Sequence, residues 1–185
     1  MRARTATALL ALLLGGCASV SSVPPAVEVP FRSTNWTLQG RIGVLSDEQN
    51  LSGQIRWQHR EDRDELLMTS PLGQGVARIV RDGEGVALEM PNQPTRHARD
   101  ADTLTREALG YVLPVTGLTW WVQARPAPGR AFEATRDASG RLTQLKQDGW
   151  TIDYLQYAAD ARPRKLTVAR EGLEIRLVAD SWQNE

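Results

Sequence analysis

The sequence predicts a mainly β domain of the α+β class, built on an antiparallel sheet with helices packed on one side of it. Residues 36–44 and 51–58 alternate between apolar and polar side chains, as strands do when one face of their sheet is covered and the other meets water. The middle of the chain changes to the period of a helix, and alternation returns from residue 142. Strands, then two helices, then strands is an order typical of a sheet with helices on one face.

Further strands complete the predicted sheet. They are expected at residues 66–69, 76–80, 86–90, 95–99, 142–147, 150–157, 166–170 and 173–178. Three of the connections carry residues that favour tight turns between antiparallel strands, namely Asp82-Gly83, Asp148-Gly149 and Glu171-Gly172.

Two short helices are predicted between the two sets of strands. The first is expected to begin at a capping Asp102 and to stop at Gly110, because a carboxylate satisfies free amides at a helix start and glycine tolerates the left-handed stop. The second follows Pro114 and is expected to end at the proline-rich segment that begins with Pro126. Its apolar face comprises Leu118, Trp121 and Val122.

The N-terminal segment has the layout of a secretory signal that ends in a lipidation site. Arg2 and Arg4 precede an apolar run at residues 8–14, which is too short to span a bilayer, and small residues then lead into Cys17. This ending resembles the lipobox of bacterial lipoproteins, in which the cysteine is acylated and becomes the new N-terminus. We therefore expect residues 1–16 to be removed and Cys17 to carry lipid. An ordinary signal peptide with an incidental cysteine is the alternative.

The remaining chain is expected to form a tether and one domain. Residues 17–35 contain three prolines and no sustained period, which favours a spacer, and residues 36–185 are long enough for a single domain with its own core. Removing two of the 22 basic residues leaves a small net negative charge against 22 acidic residues. That balance argues against a nucleic-acid-binding protein, which needs a basic surface. Cys17 is the single cysteine, so the domain has no internal disulfide.

The sequence offers no credible active site, and we expect neither an enzyme nor a cofactor or metal site. His59 and His97 lack a second ligand at metal-binding spacing, and no nucleophile motif of the G-x-S-x-G type occurs. Paired carboxylates such as Asp62 and Asp64 lie in charged, turn-like stretches, where solvated surface is the expected explanation.

Six tryptophans stand out in a chain with few other aromatic residues. Trp36, Trp57 and Trp150 are in phase with the apolar faces of their strands, and Trp121 is on the apolar face of the second helix. Indole rings line apolar cavities well, so these four are candidates for the lining of a binding cavity. Simple core filling is the alternative, because core and cavity produce the same pattern in a sequence.

The segment at residues 70–75 is predicted to be a loop that displays a leucine. Pro71 and Gly73 flank Leu72, and a leucine at a loop tip has no obvious partner to cover it. Leu72, with Pro71 and Gly73 beside it, is therefore a candidate contact with a membrane. The alternative is that Leu72 folds back onto the core.

Taken together in this order, several segments resemble the LolB family of outer-membrane lipoproteins. The resemblance covers most of the chain after Cys17. It is carried by the lipobox, Gly40-Arg41-Ile42-Gly43, Trp57-Gln58, Leu66-Leu67-Met68-Thr69-Ser70-Pro71-Leu72-Gly73, Leu113-Pro114-Val115, Leu118-Thr119-Trp120-Trp121-Val122, Gly149-Trp150, Tyr154, Pro163 and Trp182.

The resemblance implies an incomplete antiparallel β-barrel, or half-barrel, that encloses an apolar cavity for acyl chains under a lid of short helices. It implies a monomer that takes lipoproteins from a soluble periplasmic carrier of the LolA type and inserts them into the inner leaflet of the outer membrane, where it meets phospholipid. Leu72 matches the family's exposed loop leucine, which is implicated in delivery to the membrane. Ala18, in place of an aspartate after Cys17, implies sorting to the outer membrane, with the domain facing the periplasm.

One departure and two alternatives accompany this resemblance. The family usually has a helix before its first strand, whereas residues 17–35 favour a proline-bearing spacer. A lipid-anchored, non-catalytic scaffold for outer-membrane assembly would share the lipobox but lack a ligand cavity. An envelope hydrolase would need polar catalytic groups that converge in a cleft, and the sequence contains none.

Overall fold

A computed structural model describes residues 34–47 and 50–184, and the predicted signal peptide and tether lie almost entirely outside them. Eleven strands form one sheet in the described part of the chain. They are β1 (Asn35–Ser46), β2 (Asn50–Arg60), β3 (Arg63–Thr69), β4 (Gly75–Asp82), β5 (Gly85–Glu89), β6 (Arg96–Ala98), β7 (Phe132–Arg136), β8 (Leu142–Gln147), β9 (Trp150–Tyr157), β10 (Pro163–Arg170) and β11 (Leu173–Asn184).

The sheet is antiparallel, and its strand order is β6-β5-β4-β3-β2-β1-β11-β10-β9-β8-β7. The first and last strands pair at its centre, where Ile42 lies opposite Leu177. This pairing joins an N-terminal half, β1 to β6, to a C-terminal half, β7 to β11. The edge strands β6 and β7 are not paired with each other, so the barrel is incomplete. This confirms the predicted half-barrel.

Alternating side chains place one face of the sheet in the core. In β1, Leu38, Ile42 and Val44 are buried, whereas Gln39 and Arg41 are exposed. Gly40 lies where the register between β1 and β11 shifts, and a Cβ there would come within 2.1 Å of the Val178 carbonyl oxygen. Only glycine permits that close approach, which is typical of a β-bulge.

Two helices cover the buried face of the sheet. The first, α1 (Ala101–Leu109), ends at Gly110 in the left-handed conformation, as predicted. The predicted cap at Asp102 is wrong by two residues. Asp100 has the extended backbone of a cap, and its carboxylate accepts a hydrogen bond from the Thr103 amide at 2.8 Å, whereas Asp102 lies in the first turn.

The second helix, α2 (Val115–Trp121), is shorter than predicted. It ends before Pro126 because the chain reverses at Ala124, whose φ of 55° is incompatible with a continuing helix. Neither described helix is long and apolar enough to cross a bilayer.

One strand, β7, was not predicted from the sequence. All five of its residues are exposed, so it shows no apolar alternation, and its pairing with β8 alone makes it a strand. The predicted turn at Asp148-Gly149 is confirmed, since both residues have positive φ between β8 and β9.

A buried carboxylate attaches α2 to the N-terminal half of the sheet. Asp64 of β3 is 0 % exposed, so the prediction that it belongs to a solvated surface is wrong. Its oxygens accept hydrogen bonds from Trp57 Nε1 at 2.9 Å and from Thr119 Oγ1 of α2 at 3.2 Å. His59 Nδ1 lies 2.8 Å from Oδ1, and the Arg81 guanidinium pairs with Oδ2. The carboxylate therefore joins three strands and the helix.

The partners of Asp64 keep it ionised. Burial by itself raises the pKa of Asp64, but the hydrogen bonds and charges of its partners, His59 and Arg81 foremost among them, outweigh burial, so the pKa lies below its ordinary value of 3.8. An ionised carboxylate can accept from all of its donors at once.

A second set of contacts attaches α2 to the C-terminal half of the sheet. Trp121 Nε1 donates to Gln147 Oε1 of β8 at 2.8 Å, and the Tyr154 hydroxyl of β9 donates to the Trp121 carbonyl oxygen at 2.9 Å. The Trp121 ring packs on Gly117, where a Cβ would come within 2.5 Å of it. Burial raises the pKa of Tyr154 well above its ordinary value, so the phenol stays a donor. The helix is thus held to both halves.

The Asp64 network generates a prediction about stability. We expect Asp64→Asn to lower the free energy of unfolding by about 3 kcal/mol near neutral pH, because it leaves Arg81 without its buried counter-charge. Since the folded pKa of Asp64 is depressed, its contribution is present above about pH 4 and is lost as the pH falls through the folded pKa. Urea unfolding at about pH 7 and at about pH 3 measures both effects.

Asp62→Asn is the matched control, because Asp62 is exposed two residues away. It should change stability by less than about 0.5 kcal/mol. A similar loss in both variants, or a loss in Asp64→Asn that persists undiminished in acid, would contradict the role given to Asp64.

Candidate functional site

Two tryptophans predicted to line a cavity lie together in the N-terminal half of the sheet. Trp36 of β1 and Trp57 of β2 are 2 % and 1 % exposed, and their rings meet edge to face with centroids 5.2 Å apart. Trp182 of β11 packs on the other side of Trp36 at 5.2 Å. Trp182 lies four residues beyond the last predicted strand, residues 173–178. The sequence therefore did not predict that it packs with Trp36 and Trp57.

The other two predicted tryptophans lie in the C-terminal half. Trp121 of α2 and Trp150 of β9 have ring centroids 6.4 Å apart, and both side chains are buried. The structure thus separates the four candidates into two pairs within one continuous hydrophobic core. Their contact with an acyl chain stays a prediction.

A pocket of about 300 Å³ opens beside the first pair, between α2 and the strands β1, β2 and β4. Its walls combine aromatic rings with polar and charged groups, which include Trp36, Trp120, Thr119, His59 and Arg81. Trp36 Nε1 is buried and has no hydrogen-bond partner in the described part of the chain. A ligand with a carbonyl oxygen, such as an ester or an amide, could accept from that group if it reached the pocket.

The loop between β3 and β4 displays Leu72 as the sequence predicted. The Ser70 amide donates to the Gln74 carbonyl oxygen at 2.7 Å, and the Gly73 amide donates to the Ser70 carbonyl oxygen at 2.8 Å. These bonds close a tight loop, in which Gly73 takes a φ of 83° that other residues avoid. Leu72 is 90 % exposed at its tip and does not fold back onto the core.

The electrostatics of this loop suit contact with an apolar phase. Residues 69–75 contain no charged side chain, so nothing at the tip carries the large cost of moving a charge out of water. Burying the Leu72 side chain would contribute about 1.5–3 kcal/mol. Pro71 restricts the chain on one side of it.

Other sites of chemistry are scarce in the described residues. No group of three or more histidine, cysteine, aspartate or glutamate side chains within them is placed to hold a metal ion. His59 is a partner of Asp64, and His97 lies on the edge strand β6. Cys17, the predicted lipid attachment site, lies outside the described residues.

Solved structures with a similar fold agree with this architecture. A LolA superfamily protein from Nitrosomonas europaea superposes with a TM-score of 0.51 over 86 % of this chain and 90 % of its own, at 13 % identity. A DUF1329 family protein from Desulfovibrio piger gives a TM-score of 0.50 over 83 % of this chain and 86 % of its own, at 6 % identity. At such low identity, these similarities establish the fold alone.

Sequence relatives establish the family. The family model described as outer membrane lipoprotein LolB matches residues 34–182. A protein from Thiobacillus denitrificans named outer-membrane lipoprotein LolB is 63 % identical over 100 % of this chain and 99 % of its own. One of the same name from Cupriavidus pinatubonensis is 38 % identical over 91 % of this chain and 89 % of its own. The resemblance read from the sequence is confirmed, and the chain belongs to the LolB family of outer-membrane lipoproteins.

Proposed function

We propose that this protein accepts lipoproteins from a soluble periplasmic carrier of the LolA type and inserts them into the inner leaflet of the outer membrane. The observation that carries the proposal is Leu72, 90 % exposed at the tip of an uncharged loop on a half-barrel of the LolB family. A leucine held out at a loop tip gains free energy when the loop meets an apolar phase. The name of the curated relatives supports the outer membrane as the location.

The physics of acyl chains explains why such a transfer needs a container. Each CH₂ group exposed to water costs about 0.8 kcal/mol, so a triacylated protein does not diffuse free through an aqueous compartment. The apolar interior under α1 and α2 and the pocket beside Trp36 are where we place the acyl chains. Transfer needs no nucleotide if each site binds the chains more favourably than the one before, with the bilayer last.

The anchor completes the proposal. Lipid on Cys17 would hold the domain at the periplasmic face of the outer membrane, and residues 17–35 would let it stand off the surface. Several acyl chains on one residue give stable attachment, whereas a single chain gives only marginal, reversible binding.

The anchor is tested by the mass of the mature N-terminus. Protein purified from membranes should begin at Cys17 and carry a diacylglyceryl group on sulphur and an acyl group on nitrogen. An unmodified N-terminus at another residue would exclude lipidation and favour the ordinary signal peptide.

The container is tested by ligand binding to a form that starts at Ala18 and therefore carries no lipid. A fatty acid should change the tryptophan fluorescence, because Trp36, Trp57, Trp121 and Trp150 are placed around the interior. At a ligand concentration about 100 times the Kd, it should also raise the free energy of unfolding by about 2.7 kcal/mol. Unchanged spectra and unchanged stability at saturation would show that the tryptophans only fill the core, and would favour the scaffold function.

Delivery is tested by Leu72→Glu in a transfer assay with a purified carrier–cargo complex and vesicles. The variant should fold and accept cargo normally but insert it at least about ten-fold less well, because it loses the burial of Leu72 and adds a charge that resists leaving water. Leu72→Ala should have a smaller effect.

Leu155→Glu is the matched control, because Leu155 is a 56 % exposed leucine on β9, away from the loop. It should insert cargo normally. Equal insertion by Leu72→Glu and the wild type would remove the delivery role of the loop, and a large fall in the Tm of Leu72→Glu would assign Leu72 to the core.

A further inference from the structure

The outer face of the sheet beside the Leu72 loop has a composition of its own. A groove of about 550 Å³ runs across β1, β2, β3 and β11 on the face opposite the helices. Thr69, which adjoins the loop, lines one part of it, and Leu67, 38 % exposed, lines the next. Leu67 and Leu72 are both large exposed apolar residues, and they lie on one strand and the loop that follows it.

Arg56 also lines this groove, and no carboxylate of the described residues forms a hydrogen bond with it. It lies directly opposite Leu67 on β2. Elsewhere on this face, arginines are paired: Arg41 with Asp180 at 3.0 Å, and Arg78 with Glu65 at 2.9 Å. Glu65 also feels the charge of Arg56, but its Oε1 already accepts the hydrogen bond from Arg78.

Arg41 and Arg56 are diagonal neighbours on the outer face. In the register of β1 and β2, Gln39 is opposite Arg56 and Arg41 is opposite Gln54. Diagonal neighbours on one face lie about 7–8 Å apart at their Cα atoms, so the two arginines lie side by side in the groove. Asp180, which also lines the groove, forms its ion pair with Arg41 and not with Arg56.

The height of Arg56 above the loop matches the depth of a phospholipid headgroup. The polar layer on each side of a bilayer is about 5–8 Å thick. Leu67, and with it Arg56, lies two residues, or about 7 Å, back along the strand from Thr69 at the foot of the loop. With β3 close to the membrane normal, a loop tip that enters the acyl region brings the groove near the level of the phosphates. Guanidinium groups bind phosphate in a bidentate geometry.

We propose that this groove is a second part of the membrane contact, in which Arg56 binds the phosphate of a phospholipid headgroup while Leu72 enters the acyl region. This proposal rests on the proposed delivery role of the loop. It adds a phospholipid headgroup as the ligand of the groove beside the loop. In this orientation the groove faces the headgroup layer, and it favours membranes that contain anionic phospholipid.

A fluorophore near the loop reports this contact in the full-length lipidated protein. Gly75→Cys is suited to carry it, because a Cβ there meets no atom within 4 Å. Cys17 is the single natural cysteine, and its sulphur is a thioether in the lipidated protein, so the new thiol is labelled alone. The labelled protein is reconstituted in vesicles of phosphatidylcholine with an equal part of phosphatidylglycerol, and in vesicles of phosphatidylcholine alone. A polarity-sensitive dye then gives the ratio of inserted to free loops.

We expect Arg56→Gln to lower that ratio about five-fold in the anionic vesicles at low salt, because each basic residue at an anionic surface contributes about that factor. The loss should shrink in phosphatidylcholine and at high salt. Arg56→Lys should keep only part of the ratio, because it keeps the charge but loses the bidentate geometry of the guanidinium group. The matched control is Lys146→Gln, which removes an exposed cation from β8 in the other half of the sheet, and it should leave the ratio unchanged.

The outcomes separate this proposal from the loop itself. If the wild-type loop inserts and Arg56→Gln inserts equally well, the headgroup site is overturned while the delivery role of Leu72 stands. If Lys146→Gln loses as much as Arg56→Gln, general charge explains the effect and the groove is also overturned. If the dye on the wild type never enters an apolar phase, the loop does not reach the bilayer and both proposals fall.

Discussion

The attachment of α2 to both halves of the sheet is the constraint on which the rest of this fold depends. An incomplete barrel has two edges that do not pair, so the backbone alone does not fix how far the halves open. Thr119 reaches Asp64 on one half, and Trp121 reaches Gln147 on the other. The two turns of α2 thereby set the width of the interior. They also fix the distance between the two tryptophan pairs, because one pair lies in each half of the sheet.

The strand β3 connects this lid to the outside of the molecule. Asp64, near its start, is buried under α2, and its last residue, Thr69, leads into the loop that displays Leu72. The inward side chains between them, Leu66 and Met68, are part of the core, while Leu67 faces outwards beside Arg56. One strand thus contacts the helix α2 through Asp64, lines the interior through Leu66 and Met68, and leads into the proposed membrane contact at Thr69.

Charge is distributed to fit these roles. Asp64 is the one fully buried ionised group among the described residues, and its cost of burial is offset by Trp57, His59, Thr119 and the Arg81 guanidinium. The loop tip contains no charge, because any charge there would oppose entry into an apolar phase. The outer face is covered by arginine–carboxylate pairs that contribute little to stability on their own. Arg56 is not part of these pairs, and it lies on the face that the proposed contact turns toward the anionic membrane surface.

The sequence by itself determined the elements whose signals are local. The period of two predicted most of the strands, Asp148-Gly149 predicted its hairpin, and the uncharged loop around Leu72 predicted an exposed leucine. These signals are readable because backbone geometry and exposure repeat over a few neighbouring residues. The order of the motifs was enough to indicate the family.

Only the tertiary structure decided the rest, because burial depends on residues far apart in the chain. Asp62 and Asp64 look alike in sequence, yet Asp64 is buried by a contact with Thr119, 55 residues away. The strand β7 carries no pattern of its own and exists through its pairing with β8. Asp100 rather than Asp102 caps α1 because the chain enters the helix there in an extended conformation. Likewise, the sequence does not show that Arg56 has no hydrogen-bonded carboxylate within residues 34–47 and 50–184, since that depends on which neighbouring strands supply partners to the other arginines.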